Sequence, residues 1–203
     1  MTLRILSSLA LGILAGLFLL PQSIIGLIGP VADISLAILL FTVGFELGQD
    51  AKLGQKIRDL PKVYLTVPFL IAIGSIVGSI IAGAAIRMSI GDASLVGAGF
   101  GWYSLSAVII TQNYDVTLGA LALLTNVFRE VLAMLLIPTI AKRIGFLPAV
   151  APGGATTMDV TLPLVAQNTD AQTTLIAFYS GTVLSTLVPI VVPLIIALLQ
   201  RLA

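Results

Sequence analysis

The chain has 203 residues, 58% of them hydrophobic and 9% charged, with a formal net charge of +1. Soluble domains carry about 25% charged residues, so this composition excludes an ordinary soluble domain, and the near-neutral charge argues against a nucleic-acid partner. There is no Cys and no His, which excludes disulfides and thiolate metal sites and removes the usual zinc ligand and proton shuttle; no metal and no cofactor is expected.

A bilayer takes about 20 residues of apolar helix to cross. Seven apolar segments occur, at about 3–20, 31–49, 62–87, 93–111, 116–140, 147–167 and 171–199. The first, "LRILSSLALGILAGLFLL", has the basic start and apolar core of a signal peptide. No small-x-small cleavage site follows it, so it reads as a retained spanning helix. In the second, "LLFTVGFELGQD" places Glu46 near a helix end, at the interface. Asp33 and Asp92 fall at segment ends and read as solvated, and Asp115 also sits at an exit. The longest polar connection, "QDAKLGQKIRDLPK", carries Lys52, Lys56, Arg58 and Lys62 and is therefore assigned to the cytoplasmic side.

The fourth and sixth segments differ from the others. The fourth contains "GAGFGWYSLS" (97–106), with three glycines in five residues. The sixth, "APGGATTMDVTLPLVAQN", has Pro152, Gly153 and Gly154 early, Asp159 in the middle and Pro163 after it. Gly and Pro both weaken a helix interior, so neither segment reads as one regular lipid-facing helix. If the fourth crossed fully, Lys142 and Arg143 would be delivered to the outside, against the charge rule. If it dips in and returns, they fall inside. The chain is thus read as an all-α polytopic membrane protein with about five spanning helices and two discontinuous or re-entrant Gly-rich elements. It forms a single transmembrane domain, 1–203, in which 62–111 and 116–167 form an inverted repeat. Paired broken segments in inverted halves mark secondary transporters with a midplane site, because non-helical backbone at membrane depth survives only where protein buries it or where it lines a watery cavity. The alternative is that the glycines only allow close helix packing.

The fifth segment, "LALLTNVFREVLAMLLIP", holds Asn126, Arg129 and Glu130 near its middle. Intramembrane charges are costly and mark function by default. Asn126 and Glu130 share one helix face and are assigned to the cavity. Arg129 points about 100° away from Glu130 and is expected to find its partner on another element, either Asp159 as an ion pair or a freed carbonyl. The alternative is a structural Arg–Glu cluster locking two helices. Trp102 and Tyr103 read either as an interfacial belt or as the aromatic wall of a cavity.

Three motifs, "GFGWYSLS", the Asn126–Pro138 stretch with its "RE" pair, and "GGATTMDVTLPL", together resemble the lysine exporter family of the LysO type over nearly the whole chain. The resemblance implies an exporter of L-lysine and of analogues such as thialysine, in the cytoplasmic membrane, multi-pass, coupled to protons as an antiporter. It carries Gly99, Gly101, Trp102, Tyr103, Ser104, Ser106, Asn126, Thr156 and Asp159 as substrate-site positions, with Thr157 beside them. Glu130 is the proton-coupling group and Arg129 a structural ion-pair member. Pro163 also matches. Full-length members carry further helices before this region, so the chain matches their C-terminal two-thirds. Its expected partners, besides lysine, protons and the bilayer, are a second copy in a homodimer or a small membrane subunit.

Two other classes compete with this reading. An intramembrane aspartyl protease needs two facing aspartates and a Gly-x-Gly-Asp stretch, which is absent, so no enzyme is expected. A sodium-coupled organic-anion carrier of related architecture would bind its substrate through Arg129 rather than Glu130.

Overall fold

The computed structural model describes residues 61–202, together with isolated positions between 7 and 55. Most of the first two expected segments, with Asp33, Glu46 and most of the basic loop, lies outside the described residues. Among the described residues all regular structure is helical.

Three long helices form the frame. A 3-10 turn, Lys62–Thr66, leads into α1, Val67–Ala85, with Pro68 in its first turn, where its missing N–H has no helical partner to lose. Two short helices follow: α2, Ile90–Gly97, and α3, Tyr103–Asn113. The second long helix, α4, is Val116–Arg143. It is capped by Asp115, whose carboxylate accepts from the Leu118 N–H at 2.7 Å. Then come two 3-10 turns, Leu147–Val150 and Gly154–Met158, the short helix α5, Leu162–Asn168, and the long α6, Ala171–Leu202. Spans Lys62–Ala85, Val116–Arg143 and Ala171–Arg201 are long and apolar enough to cross a membrane. Their outer faces bear exposed apolar stripes, such as Leu124, Phe128, Leu132 and Leu136 on α4. Such a face suits lipid rather than water.

The elements between the long helices are too short to cross. At 1.5 Å per residue, α2 and α3 reach only about 12 and 16 Å, against about 30 Å of hydrocarbon. They form a V. The Tyr114 hydroxyl, just past α3, donates to Asp92 near the start of α2 at 3.0 Å, so both arms open toward the same end of the molecule. The C-terminal part of α6 lies there too, with Gln200 donating to the Asn113 carbonyl at 3.0 Å. At the opposite end, Asn168 closes a cleft with Lys142, Arg143 and Phe146, which brings the exit of α5 back beside the exit of α4. Val67 and Ile144 line a common cleft at this end, and the Tyr179 hydroxyl reaches the Leu65 carbonyl at 3.2 Å.

Close packing does explain several glycines. A Cβ on Gly83 would meet Ala93 at 2.7 Å, and one on Gly119 would meet the Ala107 carbonyl at 3.0 Å. These are the α1–α2 and α3–α4 contacts, where arm and long helix pack too closely for a side chain on the glycine. The tip of the V is another matter. Phe100 and Gly101 both take positive φ, 49° and 103°, and the local bonds shorten to turn type, with Trp102 N–H donating to the Gly99 carbonyl at 2.7 Å. Here the chain reverses rather than packs.

The chain's lack of cysteine makes its orientation testable. Single cysteines at Lys62 and Lys142 are expected to label with an impermeant thiol reagent from one face of the membrane, and one at Asp92 from the other. Labelling of the first two from opposite faces would mean that the V crosses the bilayer.

Candidate functional site

The site is built where the two interruptions meet. Leaving a helix frees backbone N–H and C=O groups, and buried ones must find partners. The middle of α4 supplies them. Asn126, 2% exposed, accepts from the Gly101 N–H at 2.8 Å through Oδ1. Its amide nitrogen donates to the Val96 carbonyl at 3.3 Å and to that of Ala122, one turn back, at 2.9 Å. Gly99 has to be glycine for this to happen, since a Cβ there would sit 2.6 Å from that amide nitrogen and 2.8 Å from the Ser106 hydroxyl.

Arg129 does the same for the second interruption. Its Nε donates to the Pro152 carbonyl at 3.0 Å, Nη2 to that of Ala151 at 3.2 Å, and Nη1 to the Ser75 hydroxyl on α1 at 2.8 Å. Ser75 in turn donates to the Gly97 carbonyl at 2.8 Å. One guanidinium therefore holds the second interruption directly and the end of α2 through one hydroxyl. Of the two partners expected for Arg129, these bonds go to freed carbonyls and a hydroxyl. The two tips also bond to each other, Ala155 N–H to the Phe100 carbonyl at 2.8 Å. Gly154 makes that approach possible. It has φ 60°, and a Cβ on it would collide with the Phe100 carbonyl and lie 2.8 Å from Arg129.

Around the second tip the hydroxyls are spent on backbone. Thr156 donates to the Gly153 carbonyl at 2.9 Å and lies 3.1 Å from the Thr161 hydroxyl. Thr157 reaches the carbonyls of Gly154 and, on α6, Ala177, at 2.7 and 2.8 Å.

Between the tips lies a cavity of about 130 Å³. Gly101, Trp102, Tyr103 and Ser104 form one wall; Ala155, Thr156, Met158, Asp159 and Val160 form the other. Glu130 closes it from α4 and Ser185 from α6. Asp159 accepts from the Val160 N–H at 2.6 Å. Glu130 Oε2 is buried and has no hydrogen-bond partner among the described residues. Among the described residues no Lys or Arg lines this cavity.

Of the residues singled out in the sequence, the cavity gathers Gly101, Trp102, Tyr103, Ser104, Glu130, Thr156 and Asp159. Gly99, Ser106, Asn126 and Thr157 lie behind its walls, and Ser106 donates to the Trp102 carbonyl at 2.9 Å. Arg129 points away, toward α1. Ser75, Met158 and Ser185 were not singled out. A serine among small residues of an apolar helix, as in "AIGSIVGS", was the available signal for Ser75. Ser185 donates to the Met158 sulfur at 3.3 Å, a contact that only folding reveals.

A family model described as "Lysine exporter LysO" matches residues 6–196. The chain is 31% identical over 161 residues to "Lysine exporter LysO" of Escherichia coli, covering 79% of this chain and 53% of that protein. It is also 31% identical over 154 residues to "Putative lysine exporter" of Haemophilus influenzae, covering 75% and 77%. The chain thus matches about half the length of the first relative. No solved structure matches.

Arg129→Lys keeps the charge but replaces a fork of donors with a point. It is expected to lose at least one of the three bonds, at about 1.5–3 kcal/mol for a bond to a charged group. The expected signs are a lower midpoint of thermal unfolding in detergent and faster amide exchange around residues 151–155. An unchanged midpoint and unchanged exchange would mean that a single cation suffices there.

Proposed function

The chain belongs to the lysine exporter family, and on that premise we propose that it is a secondary active exporter of L-lysine and analogues such as thialysine across the cytoplasmic membrane, driven by proton antiport. It is a carrier rather than an enzyme. In this reading the V of α2 and α3 and the broken stretch 147–168 re-enter the membrane from opposite faces. With α1 and α4 they form two inverted halves, and the cavity between their tips is the transport site. The observation that carries the reading is the pair of carboxylates, Glu130 and Asp159, in a cavity that no basic side chain lines among the described residues. A net-cationic amino acid supplies the missing charge. A carrier of organic anions needs a free cation at its site, whereas the donors of Arg129 go to Ala151, Pro152 and Ser75.

Coupling follows from competition. An unpaired carboxylate in an apolar surrounding is costly. A proton or an ammonium removes that cost at Glu130, but both cannot do so at once. Among the described residues the titratable groups sharing the cavity with Glu130 are Tyr103 from the first tip and Asp159 from the second. Export is then exchange: a proton entering from outside displaces lysine there, and loss of the proton inside restores the site. Lysine affinity should accordingly fall as pH falls.

The decisive test is exchange of radiolabelled lysine in proteoliposomes, with and without an imposed pH gradient. Uphill lysine movement driven by the pH gradient and indifferent to sodium is expected. Movement that requires sodium, or no lysine exchange at all, would sink the reading. Glu130→Gln mimics the protonated form. It is expected to abolish gradient-driven accumulation and to flatten the pH dependence of lysine binding to purified protein. Binding with wild-type affinity and wild-type pH dependence would make Glu130 structural.

A further inference from the structure

The cavity also bears on what the site reads in its ligand. Lysine offers an α-ammonium, a side-chain ammonium and a carboxylate. The cavity offers Glu130 on α4 and Asp159 on the second tip, with Tyr103, Ser104, Thr156 and Ser185 as neutral polar groups. Glu130 Oε2 is buried without a partner. The guanidinium next to Glu130 in sequence, that of Arg129, is held outside by two carbonyls and a hydroxyl. Among the described residues nothing positively charged lines the cavity to receive a carboxylate. What remains for that group is the start of α3, an 11-residue helix whose first-turn N–H groups, at Tyr103 and Ser104, have no helical acceptor. Such an end carries only about half a charge, against two full charges on the acids.

Resting on the export reading above, we propose that this cavity is a diammonium site: Glu130 and Asp159 each take one ammonium group, and the carboxylate of an amino acid is a minor determinant. The chemical class it selects is the short α,ω-diamine, with or without a carboxylate. Two like charges confined together repel each other and are poorly solvated. A dication relieves both acids, whereas a zwitterion with one ammonium relieves one and brings a further negative charge beside the other. The cavity's small volume, about 130 Å³, keeps the class short.

The test is competition against radiolabelled lysine, with direct binding of each ligand by calorimetry, on the full chain in lipid nanodiscs. The ligands are 1,5-diaminopentane, which is lysine without its carboxylate, and norleucine, which is lysine without its side-chain ammonium. Diaminopentane is expected to bind within about tenfold of lysine. Norleucine should bind about ten- to hundredfold more weakly, the usual worth of one contact to a charged group. Norleucine matching lysine, or diaminopentane failing to bind, overturns the proposal. The two readings separate cleanly. Lysine binding without diaminopentane binding leaves the exporter and removes the diammonium site. Diaminopentane binding without lysine binding does the reverse, and binding of neither removes both.

Discussion

A peptide group that leaves its helix inside a bilayer has no water to turn to, and each one left unpaired costs several kcal/mol. In the proposed reading two consecutive interruptions in this chain face that constraint, and one helix resolves both. Asn126 takes the Gly101 N–H and the Val96 carbonyl of the first. Arg129, three residues on, takes the Pro152 and Ala151 carbonyls of the second. Because the two side chains share a helix, the tips are held in fixed relation to each other, and the bond from Ala155 to Phe100 closes the arrangement. The glycines follow from this. Gly99 and Gly154 clear space for the anchors, and Gly101 supplies a turn that other residues enter only with strain.

Satisfying the backbone in this way has an electrostatic consequence. Arg129 is consumed by carbonyls and Ser75, so it does not neutralise Glu130, its neighbour in sequence. Asp159, displaced from any helix by the second interruption, faces the same cavity. Negative charge is therefore gathered where the tips meet, and its natural complement is a cation. Structure and proposed transport are linked at this point. The two side chains that anchor the tips from α4, Asn126 and Arg129, do not line the cavity, so Glu130 and Asp159 stay available to a ligand.

Much of this was legible in the sequence. Spans expected at 62–87, 116–140 and 171–199 correspond to Lys62–Ala85, Val116–Arg143 and Ala171–Arg201, because long apolar runs between charged ends define their own limits. The interruptions were legible from Gly and Pro at 97–101 and 152–154. A freed carbonyl was one of two partners expected for Arg129, the other being Asp159 in an ion pair, and the donors of Arg129 meet the carbonyls of Pro152 and Ala151. What periodicity does not carry is the direction in which a side chain faces once the backbone has left the helix. Asn126 and Glu130 share a stripe, yet Asn126 meets the first tip and Glu130 meets the cavity. Ser106 and Thr157 lie beside cavity residues in sequence but turn toward backbone. Ser75 belongs to another helix 54 residues away from Arg129, a distance that no local pattern spans.

The central claim is that the ligand sits between the two tips. Since the chain has no cysteine, Ser104→Cys, at the mouth of the cavity, provides a unique reporter. Its rate of modification by a small cationic thiol reagent should fall when lysine is added, while that of Lys142→Cys, outside the cavity near the end of α4, should not. An unchanged rate at Ser104→Cys under lysine concentrations that saturate binding would contradict a substrate site at the meeting of the tips.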